Sequence, residues 1–149
     1  MNYKRNIAIV VSNKYDCKTN NLKEVITNVV TDAMIENNLE AKDIRIMVPC
    51  IRTTDNFIKT YRDILERMGF FVWAVPYLAS RPTEQRREIH SDADEVIAIM
   101  HRTAACDEWI RDLIAADPRT IDPKPVTKYW IRRDHSLVVA RSHSKKSFR

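Results

Sequence analysis

Asn6-Ile7-Ala8-Ile9-Val10-Val11-Ser12 is an unbroken apolar run closed at both ends by polar side chains. A strand apolar at every position, rather than at alternate ones, is buried on both faces. That is the setting of a parallel sheet covered by helices on each side. The pattern then changes period. Leu22, Val25, Ile26, Val29, Val30, Ala33 and Met34 fall three or four apart, the stripe of an amphipathic helix. Asn21, with Glu24 three residues on, has the form of a capping box and predicts the start of that helix.

The same alternation continues down the chain. Residues 44–49 read as a second strand. Residues 54–68 read as a helix burying Phe57, Ile58, Tyr61, Ile64, Leu65 and Met68, with Gly69 placed for a left-handed C-terminal cap. Residues 70–77 form a third strand. The polar stretch 81–92 holds a short helix with Ile89 as nearly its sole apolar anchor, and 95–100 is a fourth strand. Cys106, Trp109, Ile110, Leu113 and Ile114 mark a fourth helix, stopped at Asp117-Pro118. Residues 126–133 and 136–140 are β-like around Asp134-His135, which predicts a hairpin whose first arm is strand five. The expected fold is therefore α/β, a doubly wound, mostly parallel five-stranded sheet in one domain over residues 1–140. Residues 141–149 form a basic, frayed tail.

Composition narrows the function classes. With 149 residues, 44% apolar and 30% charged, the chain suits one hydrophobic core. It lacks a run near the ~20 apolar residues of a membrane span and has no leader-like N-terminus, so a cytoplasmic protein without a membrane partner is expected. Cys17, Cys50 and Cys106 are odd in number and far apart, which points to reduced thiols. With no C-x-x-C pair, no metal is expected. Gly69 is the sole glycine, where an average chain at about 7% would carry roughly ten. Glycine-rich phosphate loops are thereby excluded, and with them the usual nucleoside-triphosphatase and dinucleotide cofactor readings.

Charge is uneven. Seven basic residues and one acid lie from Lys128 onward, so that segment carries +6 of a total of +5 and the remainder is near −1. A protein or nucleic-acid partner would therefore engage Lys128 to Arg149, with Tyr129 and Trp130 available for stacking on bases. Trp73, Trp109 and Trp130 fit either the core or a homo-oligomer interface.

In such sheets ligands bind beyond the carboxyl ends of the strands. The loops there contain Ser12, then Arg52 and Asp55, then Arg86, then His101, Arg102, Asp107 and Glu108. Guanidinium forks can stand in for missing glycines around an anion. Asp107 and Glu108 open a helix, where acids are favoured by the dipole alone. Glu108 is also a candidate nucleophile or base on a sugar, a role that asks for a carboxylate shielded from water.

Three stretches carry a resemblance. Val48-Pro-Cys-Ile-Arg52-Thr-Thr-Asp55, the run from Arg86 through Asp94 to Met100, and His101-Arg-Thr-Ala-Ala-Cys-Asp-Glu108 resemble the SLOG superfamily of Rossmann-like nucleotide-binding proteins. That superfamily includes the LOG phosphoribohydrolases, and the related nucleoside deoxyribosyltransferases look similar. The likeness covers roughly residues 6–118 and departs from the pattern at both glycine-rich loops. It implies a nucleotide- or nucleoside-derived ligand, with Arg52, Arg86 and Arg102 on its anionic part, and Ser12 and Asp55 on sugar or base. It also implies cleavage or transfer of an N-glycosidic bond with Glu108 as catalytic residue. The alternative expectation is a non-catalytic interaction module acting through the basic arm.

Overall fold

In the computed structural model, residues 3–12, 19–51, 56–101, 107–115, 124–132 and 137–142 are described, residues 19–21 and 137–142 by their backbone alone. Strand and helix alternate as β1 (Arg5–Val11), α1 (Thr19–Asn37), β2 (Ile44–Cys50), α2 (Asn56–Arg67), β3 (Phe71–Pro76), α3 (Glu84–Asp92), β4 (Glu95–Met100), α4 (Glu108–Ile114) and β5 (Val126–Ile131). The final strand is β6 (Leu137–Ser142). The sheet order is β3-β2-β1-β4-β5-β6. Strands β1 to β5 pair in parallel and β6 returns antiparallel on β5, from Ile131–Leu137 to Val126–Ser142. This is the Rossmann-like doubly wound arrangement, with the hairpin's second arm adding a sixth strand at the edge.

Why the strands read apolar at every position is visible in the two cores. Ile7, Ile9 and Val11 of β1 point to one face with Ile44, Ile46 and Val48 of β2. There they meet Leu22, Ile26, Val29 and Val30 of α1 and Ile58, Tyr61 and Leu65 of α2. Ala8 and Val10 point to the other face with Val96, Ala98 and Met100 of β4. They meet Ile89 of α3 and Ile110 and Leu113 of α4. Trp73, Trp109 and Trp130 are partly buried against this second core.

Two expectations shift at element ends. The backbone is helical from Thr19, so Asn21 lies inside α1 and is not its cap. Strand β6 runs to Ser142, so Arg141 belongs to the sheet and not to a tail. Gly69 has the expected positive φ of 96° after α2, and the Phe70 N–H donates back to the Leu65 carbonyl at 3.3 Å. The end of α1 uses Asn38 in the same way, with φ 54° and the Leu39 N–H on the Met34 carbonyl at 3.0 Å. No described helix is long and apolar enough to cross a membrane.

Candidate functional site at the switch in strand order

Chain connections leave β1 toward β2 on one side and arrive at β4 on the other, so the strand order reverses between β1 and β4. At such a point the two following loops diverge and open a crevice. Ser12, at the end of β1, is tied across it by its N–H to the Ile99 carbonyl at 2.8 Å.

The Asp107 carboxylate is the hub of this edge. Oδ1 accepts the Ser12 hydroxyl at 2.6 Å, and Oδ2 accepts the His101 backbone N–H at 2.7 Å. Oδ2 also lies 3.1 Å from His101 Nδ1. Ser12 and Asp107 have no exposed surface, whereas the His101 side chain is 27% exposed. A buried carboxylate that accepts from the Ser12 hydroxyl and the His101 backbone N–H is satisfied where it stands. Asp107 occupies the N-cap of α4, yet its side chain makes no capping hydrogen bond. The helix forgoes a contribution of about 0.5–2 kcal/mol, and the carboxylate is turned toward the two strand ends instead.

Glu108, the adjacent acid, is 69% exposed and paired with Arg111 at 3.1 Å. Helix phase explains the split. Asp107 lies three residues before Ile110 and six before Leu113, both buried, so it shares their inward face. Glu108 shares a face with Arg111 and Asp112, half-buried and exposed respectively. This 3.6-residue phase is the signal that separates two neighbouring acids of equal helix-start propensity. Reading the acids by the dipole alone misses it.

Of the other expected ligand residues, Arg86 sits on α3. Its Nη1 donates to the Asp112 and Ala115 carbonyls, each at 3.4 Å, so the guanidinium braces the end of α4. Arg52, Asp55 and Arg102 lie outside the described residues, as do Arg133, Lys145, Lys146 and Arg149 of the basic arm. The structure thus brings Ser12 together with Asp107 and His101, whereas Arg86 bonds to the end of α4 and Glu108 to Arg111.

Separately, a cleft of about 560 Å³ opens between α3 and α4, walled by Ile51, Tyr77, Arg86 and Trp109, among others, and by none of the three cluster residues. Its floor is polar. Gln85 is buried, and its Nε2 donates to the Cys50 carbonyl at 2.9 Å and the Val75 carbonyl at 2.6 Å. That amide knits the ends of β2 and β3. Deeper between the same helices, His90 contacts the Leu113 carbonyl through Nε2 at 3.0 Å. Its Nδ1 and the indole nitrogen of Trp109 are buried without a hydrogen-bond partner. Burial pushes the His90 imidazole below its ordinary pKa. The Leu113 hydrogen bond opposes this, and the Arg86 and Lys124 charges add to it. Among the described residues, no three His, Cys, Asp or Glu side chains converge as a metal site.

No family model matches the chain, and no curated protein matches it. A crystal structure of a protein of unknown function from Vibrio parahaemolyticus is similar over 91% of this chain and 87% of that one, with 20% identity and a TM-score of 0.37.

Proposed function

We propose that this domain binds a nucleotide- or nucleoside-derived small molecule at the carboxyl edge of its sheet. The observation that carries the reading is the Ser12–Asp107–His101 cluster, which ties the ends of β1 and β4 together where the strand order reverses. A polar part of the ligand would meet the exposed side of His101. A flat ring would enter the cleft between α3 and α4, where Tyr77 and Trp109 offer aromatic surface. Arg52 and Arg102 would hold an anionic group and Asp55 a sugar hydroxyl, as the SLOG resemblance implies. Ser12 acts in this reading by fixing Asp107, since its own side chain is buried. Cleavage of an N-glycosidic bond would require Glu108 to leave Arg111 and turn into the crevice. Binding requires no such movement and is the function put forward.

A thermal-shift panel of nucleosides, nucleotides, cyclic nucleotides and ADP-ribose-like compounds tests this. A ligand at about 100 times its Kd stabilises by roughly 2.7 kcal/mol, which in a domain of this size raises Tm by several degrees. The rise should be dose-dependent for one class and absent in Arg52→Glu, whose unliganded Tm should stay unchanged. A flat response to every class, or full retention of binding by Arg52→Glu, would sink the ligand or its anion contact respectively.

A further inference from the structure

We propose that His101 is a proton acceptor facing the ligand crevice, its imidazole oriented by the buried Asp107 carboxylate. The inference deepens the ligand reading, because it gives that site a reaction class.

Among the described residues, three groups face His101. Asp107 Oδ2 lies 3.1 Å from Nδ1, Ser12 Oγ lies 3.4 Å from Nδ1, and Arg111 Nη1 lies 3.5 Å from the backbone carbonyl. Two of the three act on one ring nitrogen. A carboxylate accepts and cannot donate, so Asp107 selects the neutral tautomer with its proton on Nδ1. The lone pair is then on Nε2, which has no hydrogen-bond partner among the described residues. The His101 side chain keeps 27% of its surface exposed, while Asp107 against its Nδ1 has none. Asp107 meanwhile contributes no cap to α4.

This is not a serine nucleophile with its base. The Ser12 hydroxyl donates to Asp107 Oδ1, and the ring nitrogen nearest it is the one already facing Asp107. An activated serine would instead face the nitrogen remote from the carboxylate. Ser12 and Asp107 are positioning residues, and the group left to meet a reactant is Nε2. The chemistry that fits is hydrolytic. Nε2 takes a proton from water as the water oxygen bonds to an electrophilic centre of the ligand. The imidazolium that forms pairs with Asp107, and the proton then passes to the leaving group as its bond to that centre breaks. Water is thereby added across the broken bond, and the imidazole is regenerated.

The test needs no ligand, so its failure is distinct from a flat ligand panel. The full chain is treated with diethyl pyrocarbonate, which acylates unprotonated imidazole, and each histidine is followed by peptide mass spectrometry. His101 is expected to react at least about tenfold faster than His90, which is reachable only when α3 opens from α4. Nitrogen-15 spectra of the neutral protein should show the His101 proton on Nδ1. Asp107→Asn, which offers a donor as well as an acceptor, should raise the Nε2–H form and slow acylation. Ser12→Ala should leave the tautomer as it is. Acylation of His101 as slow as that of His90, a wild-type proton on Nε2, or an Asp107→Asn variant with wild-type rate and tautomer would each overturn the proposal. Should Asp107→Asn fail to fold, the wild-type tautomer and rate decide.

Discussion

His90 is a single side chain whose burial contributes a pH dependence to the stability of the domain. It is buried between α3 and α4, and burial holds its pKa below the ordinary histidine value. In the unfolded chain the imidazole titrates near 6.5. Above that pH neither state is protonated and the packing of His90 is fully available. As pH falls from there toward the lower folded value, the unfolded state takes up the proton first and stability drains away. Denaturant unfolding at pH 7.5 and pH 5 should show wild-type stability falling, with a smaller fall in His90→Gln. Equal falls would mean that other groups govern acid sensitivity. Ser12 and His101 follow β1 and β4, and Asp107 and Glu108 open α4, all at the edge that sequence order indicates. What the residues alone left open was which of two adjacent acids turned inward, because capping propensity treats Asp107 and Glu108 alike. Only the inward phase of Ile110 and Leu113 separates them.

Elements with a strong apolar stripe were readable, and those held by polar groups were less so. The stripe from Leu22 to Met34 lies within α1, and 95–100 is β4 residue for residue. Helix α3 has little apolar signal because Gln85 and His90, both polar, supply much of its buried face alongside Ile89. Hydrogen bonds to Cys50, Val75 and Leu113 substitute there for hydrophobic periodicity. The end of α2 depends on backbone geometry. A Cβ at Gly69 would meet Ala41 Cβ at an ordinary 3.7 Å, so space is not the constraint; the φ of 96° is. Gly69→Ala should therefore cost about 1–2 kcal/mol, seen as a lower denaturation midpoint with an unchanged m-value. A neutral substitution would show that the turn relaxes to negative φ.

At the scale of the whole molecule, the alternation of strands and helices implied the doubly wound class, but the neighbours of each strand could not be read. Parallel strands buried on both faces look alike in sequence, and strand order depends on which side of β1 each crossover lands. The hairpin was more accessible, since its arms are local. Strand β6 pairs along the whole of β5 and so shields one edge of the sheet. Removing residues 137–149 would expose the N–H and C=O groups of β5 as a template for other chains. The shortened protein should have a lower Tm and self-associate in light scattering. A monomer of unchanged stability would deny β6 that role.

Because β1 lies beside β4, the hydrogen bond from Ser12 to Asp107 spans a separation of 95 residues, and the first strand of the chain cannot complete its neighbourhood until the fourth has formed. The edge where the two strands meet is therefore built on contacts of high sequence separation, whose formation closes a long loop of chain. A molecule that recognises it is recognising chain closure, and its grip would be lost with any opening that parts the two halves of the sheet, however intact each half stayed.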